Sequence, residues 1–435
     1  MREKLEVYFE FRSLGTNWRT EILAGFTTFV TMAYIIFVNP SILADAGMNV
    51  AATTAATCLS AAFGSILMGV LARYPIALAP GMGLNAYFTY SVVKGMGVSW
   101  QTALGAVFLS GIIFILLTAG GVRKLILESI PRDLYAAVAV GIGLFIAFIG
   151  FRSAGIVVAD ASTTVTLGKL SDPHTLLALF GLLLISALMA RGVRAAMLLG
   201  IVLTTLAGAA VGLVKWAPSA YSYKDITATF LQLDIAGALK LGLLEIVFVF
   251  LFVDLFDNIG TLVAVGKRAR LFDDTGHIPR VNRILTCDAL ATTAGSLCGT
   301  STVVSYIESA AGVVAGGRSG VTAIVCGLLF VAAIFVAPLF GVIPAQATAP
   351  ALIVVGALML GHAAEINWHD PLASIPAFLT ITAIPLTFSI ANGLAFGFTA
   401  WTLLQITAGR WRTIHWLVYI LTALFIARFY FLGRG

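Results

Sequence analysis
Residues 286–316 read TCDALATTAGSLCGTSTVVSYIESAAGVVAG. The first part is small and apolar enough to pass as helix to about residue 299. Thr300–Ser305 then brings a run of hydroxyl-bearing and β-branched side chains, which favours extended backbone. Helix is expected to resume near Ile307, with Glu308 in its first turn, where the helix dipole favours a carboxylate. A short strand would thus feed a half-helix. The interruption matters because its surroundings are apolar: the 435-residue chain is 60% hydrophobic and 11% charged, with a mean hydropathy of +1.00.

A soluble domain carries roughly 25% charged residues. The 26 Lys and Arg and 20 Asp and Glu of this chain cannot cover a soluble protein of its length. A soluble enzyme, a nucleic-acid binder and a disordered chain are excluded. Apolar residues run from end to end, which excludes a single anchor. An outer-membrane barrel would instead alternate apolar and polar over about 10 residues per strand. The chain reads as an all-α polytopic membrane protein. The start, MREKLEVYFEFRSLGTNWRTE, is too charged for the apolar region of a cleavable signal peptide. Cys58, Cys287, Cys298 and Cys326 lie in apolar segments without a C-x-x-C pair and read as packing residues.

About 20 apolar residues cross a bilayer core. On that measure spans fall near 22–38, 53–71, 76–93, 101–119, 133–150, 175–190 and 195–214. Beyond a polar stretch holding WAPSAYSYKD, more fall near 240–262, 284–299, 302–317, 320–341, 347–363, 371–389 and 391–408. That makes about 14 spans. A last apolar stretch, 414–431, either crosses once more or lies along the surface. With the N-terminus inside, the cytoplasmic segments collect most Lys and Arg, among them Arg2, Lys4, Arg12, Arg123, Lys124, Lys267, Arg268, Arg270 and Arg410. The outer side holds Lys94, Arg152, Lys169, Lys215, Lys224 and Lys240. This positive-inside bias explains most of the net charge of +6 and the pI near 9.2. A multi-pass protein of the inner membrane with a cytoplasmic N-terminus is expected.

The two halves echo each other in order. YIIFVNPSILADAG, TCLSAAFGSILMG and PGMGLNAYFTYSVV in the first half correspond to FVDLFDNIGTLVAVG, TCDALATTAGSLCG and VVSYIESAAGVVAG in the second. Asp172-Pro173 opens the sixth span and Asp370-Pro371 the thirteenth. Each half holds about seven spans, an odd number, so the second is inverted in the membrane, as in secondary transporters. The third span, YPIALAPGMGLNAYF, is broken like the tenth: Pro75, Pro80, Gly81 and Gly83 delay helix until about Leu84. Backbone exposed in this way is tolerated at membrane depth only where protein covers it or it lines a polar cavity. Gly81 to Ala86 also matches the dinucleotide pattern G-x-G-x-x-A, but that motif needs a soluble βαβ unit, which is absent.

Ionisable residues within spans are costly and mark function by default. Asp254 and Asp257 lie in the eighth span, Asp288 in the ninth and Glu308 in the tenth. Asp254, Asp257 and Thr261 share one helix face. By the repeat, Asn85 is expected at the place in the third span that Glu308 takes in the tenth. Asn85, Asp257 and Glu308 are then expected to converge. Asp288 is either functional or a cap or partner for Arg283. His362, Glu365 and His369 have helical spacing but sit at a span end, where a wet loop is the simpler reading than a metal site. No catalytic residue, metal or cofactor is expected.

With those motifs together the chain resembles the azaguanine-resistance-type purine permeases, adenine/guanine/hypoxanthine–proton symporters of the nucleobase–ascorbate transporter superfamily. The likeness covers essentially the whole chain. It rests on MAYIIFVNPSIL, APGMGLNAYF, FVDLFDNIGTL, TCDALATTAGSLCGTSTVVSYIESAAGV and the GRSG of residues 317–320. It implies a cytoplasmic N-terminus (1–21), a core domain (22–130 and 240–343), a gate domain (131–214 and 344–408), an external linker (215–239) and a C-terminal segment (409–435). It also implies a homodimer. Asp257, Glu308 and Asn85 match the family's substrate residues, and Asp288 its ninth-span acid. Thr261 stands where other branches place His or Asp.

The expected substrate is a purine nucleobase moved with H⁺ by alternating access between core and gate. Carboxylates would accept from its N–H edge, the Asn85 amide would pair with it, and Phe88, Tyr87 or Tyr306 would stack on its face, with Asp254 and Thr261 in support. Burial and a neighbouring carboxylate both disfavour the charged form of an acid. Asp257, Glu308 and Asp288 are therefore the proton-coupling candidates. The nearest alternative is an anion carrier of the same architecture, such as a sulfate permease-like protein, but acids facing one cavity would repel an anion. An intramembrane enzyme would want a nucleophile with its base, or a metal pair, and neither H-E-x-x-H nor G-x-S-x-G occurs.

Overall fold
The computed structural model describes residues 2–120, 129–214, 224, 227–240, 244–269, 279–340 and 343–432. Arg123, Lys124, Lys215, Arg270 and most of WAPSAYSYKD lie outside the described residues, as do the side chains of Asp257, Lys267 and Arg268. Both expected breaks are present. In the third span the strand Leu78–Pro80 leads into the helix Met82–Ala86, which continues as the wider-wound turns Tyr87–Gly95. In the tenth, the strand Val303–Ser305 precedes the helix Ser309–Val314. The first helix starts earlier than expected because Gly81 C=O already accepts from Asn85 N–H. The second starts later. There Ile307 and Glu308 carbonyls accept from Ala310 and Ala311, three residues on, in a tighter turn.

Six helices among the described residues are long and apolar enough to cross a membrane by length and composition, from Trp18–Ala44 to Ala345–Glu365. Shorter apolar helices include Ala196–Ala210, Gly320–Val336 and Pro371–Leu386. Local sequence explains their ends. Asp172 accepts from His174 N–H at 2.9 Å and Asp370 from Leu372 N–H at 2.9 Å, each with proline next, so the repeated Asp-Pro pairs are helix starts. An unexpected hairpin, Val157–Asp160 with Thr164–Leu167, joins the fifth and sixth spans. Its turn is organised by Asp160, which accepts from the Ser162 hydroxyl and the Ser162 and Thr163 N–H groups. Those bonds hold its carboxyl well below the usual range.

Backbone contacts divide the chain into two compact units, Met1–Ile115 with Ser153–Ala351, and Leu116–Arg152 with Leu352–Gly435. Helices Pro173–Ala190 and Ala196–Ala210 fall in the first unit, whereas the resemblance assigns them to the gate. In the first unit, helix Val50–Leu67 and its continuation Met68–Ala72 pack on Gly320–Val336, where Gly69 and Gly320 let the backbones meet. At one end of this unit Glu10 bridges Arg73, at 3.0 Å, and Arg280, at 3.4 Å. In the second unit, helix Trp416–Leu432 packs on Ile390–Thr407 through Phe398 with Phe425 and Thr402 with Thr422.

Candidate functional site at the two broken spans
The strands of the broken spans pair antiparallel, Leu78 with Ser305, Ala79 with Val304 and Pro80 with Val303, and all six residues are buried. Gly81 N–H donates to Thr302 C=O at 2.9 Å and Tyr306 N–H to Ala77 C=O at 3.0 Å, two bonds related by the same local two-fold. Each strand is also held by a hydroxyl from the preceding helix. Ser65 Oγ accepts from Leu78 N–H and donates to Leu78 C=O, while Thr292 Oγ1 does the same for Val303. Backbone that would otherwise be unpaired in an apolar medium is satisfied in this way.

Helix Leu244–Ala269 packs against the strand Val303–Ser305 and both half-helices. Asp254 and Asn258 stand one turn apart on it, fully or almost fully buried. Asn258 Nδ2 donates to Asp254 Oδ1 at 2.8 Å and to Asp288 Oδ2 at 2.5 Å, and its Oδ1 accepts from Ser305 N–H at 3.0 Å. The amide orientation is thereby fixed by partners on both sides. Asp288 lies well inside helix Val281–Cys298, so it is not a helix cap. Asp257 is carried on the same helix as Asp254, and Thr261, 7% exposed, follows.

Asn85, wholly buried, donates through Nδ2 to Asn39 Oδ1 at 2.5 Å. Asn39 in turn donates to Thr57 Oγ1 at 2.7 Å and Thr300 Oγ1 at 3.0 Å. Asn85 Oδ1 and Thr89 Oγ1, neighbours along the third span, are buried without a hydrogen-bond partner among the described residues. Glu308 is half-buried beside an exposed Ile307, and Tyr34 Oη donates to its Oε1 at 2.7 Å. Tyr306 Oη donates to Pro80 C=O at 2.6 Å. Phe88 is fully buried, with its ring and that of Tyr87 packed against Phe250. His362 and Glu365 contact each other at 3.0 Å in an exposed turn.

With this geometry in hand, comparison with known proteins decides the family. Residues 19–396 match the family described as Permease family, Xan_ur_permease. The chain belongs to the Permease family. Adenine permease AdeP of Escherichia coli is 45% identical over 428 residues, covering 98% of this chain and 96% of that protein. Guanine/hypoxanthine permease PbuG of Bacillus subtilis is 44% identical over 440 residues, covering 98% and 100%. Among solved structures, the transmembrane domain of the cyanobacterial bicarbonate transporter BicA superposes with a TM-score of 0.62 at 14% identity, covering 85% of this chain and 96% of that one. At that identity the likeness is one of fold. The protein is a multi-pass membrane transporter and not an enzyme.

In this Permease-family chain the repeat is visible in side chains as well as strands. Asn39 and Asn258 take the same place in their halves, each at the same distance ahead of a closing glycine, Gly47 and Gly266. Thr57 and Asp288 likewise precede Gly64-Ser65 and Gly295-Ser296 by the same distance. The Asn39–Thr57 bond is therefore the counterpart of Asn258–Asp288. The expected match of Asn85 with Glu308 is off by two residues. The two-fold through the Ala79–Val304 pair makes Val303 the equivalent of Leu78, and counting on from there makes Glu308 the equivalent of Gly83. Asn39, Asn258 and Tyr34 were not singled out from sequence, although the repeat strings contained the signal for both asparagines.

Proposed function
We propose that the protein takes up a purine nucleobase (adenine, guanine or hypoxanthine) by secondary active transport coupled to H⁺. The observation that carries this reading is that Asn85 and Glu308, on the two broken spans, are both held by side chains of the first span, Asn39 and Tyr34. Asn85 Oδ1, without a hydrogen-bond partner among the described residues, is left to a ligand, and relatives named for adenine and for guanine/hypoxanthine support a purine. A carboxylate accepts from ring N–H groups, and an amide pairs with either kind of partner. A base lacking the right edge would leave polar groups unpaired, which gives strong discrimination.

Asp257 and Glu308 bind the substrate with Asn85, while Asp254, Thr261, Phe88 and Tyr306 support the site. Asp257, Glu308 and Asp288 are the coupling candidates, and neighbouring acids titrate as a set rather than singly. A neutral base moving with one H⁺ carries charge inward, so the membrane potential contributes roughly 2.3 kcal/mol per 100 mV. Core and gate domains rock about the site in a homodimer of the inner membrane with its N-terminus in the cytoplasm. An anion carrier of the same fold is disfavoured by the carboxylates of Asp254 and Asp288 beside the strand pair.

The test is accumulation of radiolabelled purine in a permease-deficient strain. Asp257→Asn and Glu308→Gln should each abolish it, and normal uptake by both well-expressed variants would sink the site assignment. Collapsing the proton gradient should stop accumulation. Restoration by sodium would show that the coupling ion is wrong.

A further inference from the structure
The amide of Asn85 has its polarity set by a relay of bonds from the first two spans. Thr57 Oγ1 donates its one proton to Thr53 C=O at 2.6 Å, so it accepts from Asn39 Nδ2, at 2.7 Å. Asn39 Oδ1 is thereby turned to Asn85 and accepts from its Nδ2, which leaves Asn85 presenting Oδ1, an acceptor, on its other side. Thr89 follows four residues on, so the two side chains lie on one face of the third span. Both residues are wholly buried, and Asn85 Oδ1 and Thr89 Oγ1 have no hydrogen-bond partner among the described residues. Other buried threonines of the spans behave differently. Thr28 and Thr205 donate to the carbonyl four residues back, at 3.0 and 2.8 Å, whereas Thr89, within the wider-wound turns Tyr87–Gly95, does not. Two unpaired polar atoms one turn apart in an apolar interior are expensive unless a ligand meets them.

We infer that Asn85 Oδ1 and Thr89 Oγ1 form a neutral subsite for the imidazole edge of the purine, which makes Thr89 a further substrate-binding residue. This rests on the reading that Asn85 contacts the substrate. The chemistry of that edge fits the pair. In its 9H form every purine base carries there one N–H, at N9, and one bare ring nitrogen, N7. An ionised carboxylate only accepts, so it serves an N–H but not a bare nitrogen; a hydroxyl can donate to one. The Asn85 oxygen accepts from N9–H and the Thr89 hydroxyl donates to N7. Adenine differs from guanine and hypoxanthine on the six-membered ring, in its N–H and exocyclic groups, and that ring is left to the acids. The subsite is therefore filled alike by all three bases.

The experiment uses cells producing the wild type, Thr89→Val, Thr89→Ser or Asn85→Ala at matched membrane levels. It measures KM for a labelled purine that the wild type takes up, and Ki for the 7-deaza analogue of that base, in which C–H replaces N7. The wild type should bind the analogue about tenfold more weakly than the base, the effect of a hydroxyl left without its acceptor. Thr89→Val should raise KM about tenfold and bind base and analogue alike. Thr89→Ser, which keeps the hydroxyl, should keep the discrimination. Because that hydroxyl has no partner in the protein, Thr89→Val should melt in detergent, free of substrate, no lower than the wild type. Equal binding of base and analogue by the wild type overturns the inference whatever the variants do; the two atoms would then hold only water. So does a penalty for the analogue that persists in Thr89→Val, or a KM which that variant leaves unchanged. An unchanged KM in Asn85→Ala would instead overturn the reading of Asn85 as a substrate residue.

Discussion

Asn258 donates to Asp288 across 2.5 Å and to Asp254 across 2.8 Å, so one neutral amide stands between two fully buried carboxylates. The counterpart in the first repeat, Asn39 with Thr57, joins an amide to a hydroxyl. The scaffold is therefore two-fold while its charge is not. Ile35, Val38, Thr57 and Gly83 occupy the places of Asp254, Asp257, Asp288 and Glu308. Ionisable groups are expensive within spans and concentrate where function needs them. At these equivalent positions the first half supplies neutral groups and the second supplies the acids.

Removing the Asn258 amide should be costly in two ways. Asn258→Ala deprives Asp254, Asp288 and Ser305 N–H of a shared partner, and each hydrogen bond to a charged group contributes about 1.5–3 kcal/mol. The purified variant should melt well below the wild type in detergent and accumulate little substrate. Asn258→Asp should be worse, since it adds a third carboxylate and loses both N–H donors. A melting temperature equal to wild type for Asn258→Ala would show that the bridge contributes nothing.

Asn39 offers a sharper separation of binding from folding. Asn39→Ala leaves Asn85 Nδ2 without its acceptor and frees the hydroxyls of Thr57 and Thr300, which can turn to other partners. Three neutral bonds are lost, each worth about 1 kcal/mol. Protein levels should fall somewhat, and KM for purine per protein present should rise several-fold, because Asn85 is no longer oriented. Uptake kinetics in cells, set against the level of a fluorescent fusion, decide it. An unchanged KM would place Asn85 outside the substrate site.

The breaks were legible in sequence because their causes are local. Pro80 lacks a donor, and Thr300–Ser305 is rich in β-branched and hydroxyl-bearing residues. Asp254, Asp288, Glu308 and Asn85 stood out because polar groups are rare in apolar spans. What pairs with them was less legible. Asn258 beside Asp257 reads as an accessory, and a tyrosine such as Tyr34 is ordinary in a membrane helix. The register of Asn85 against Glu308 depended on a long-range strand pairing, Leu78 with Ser305, which no local pattern encodes. The hairpin at 157–167 was missed because its strands are short and exposed, with no buried face to impose alternation.

Close packing of the tenth span can be tested at Gly312. A Cβ there would lie 2.8 Å from Ala24 C=O and would meet the Thr28 hydroxyl, both on helix Trp18–Met32. Overpacking costs about 1–3 kcal/mol and displaces backbone. Gly312→Val should push the half-helix away from the first span and with it Glu308, lowering Vmax at normal protein levels. Gly312→Ala should show a smaller effect in the same direction. Equal uptake by both would mean that this contact does not position the site.

Glu21 is a buried acid whose carboxylate is engaged by hydrogen bonds at the start of a neighbouring helix. Its Oε1 accepts from the Thr16 hydroxyl at 2.7 Å, Arg318 N–H at 2.9 Å and Ser319 N–H at 3.2 Å, while Oε2 accepts from the Thr322 hydroxyl at 2.6 Å. These donors sit at the start of helix Gly320–Val336, where a negative charge is favoured by the helix dipole. Glu21→Gln keeps the shape but turns an N–H₂ group toward donors, and should cost about 2 kcal/mol. Glu21→Ala strips the Arg318 N–H of its partner and should cost at least as much. Melting in detergent should fall for both, with the alanine variant lower. The KM for purine should stay within about twofold of wild type, because helix 320–336 would still form once the protein folds. A KM change without a melting change would move Glu21 from the scaffold to the transport site.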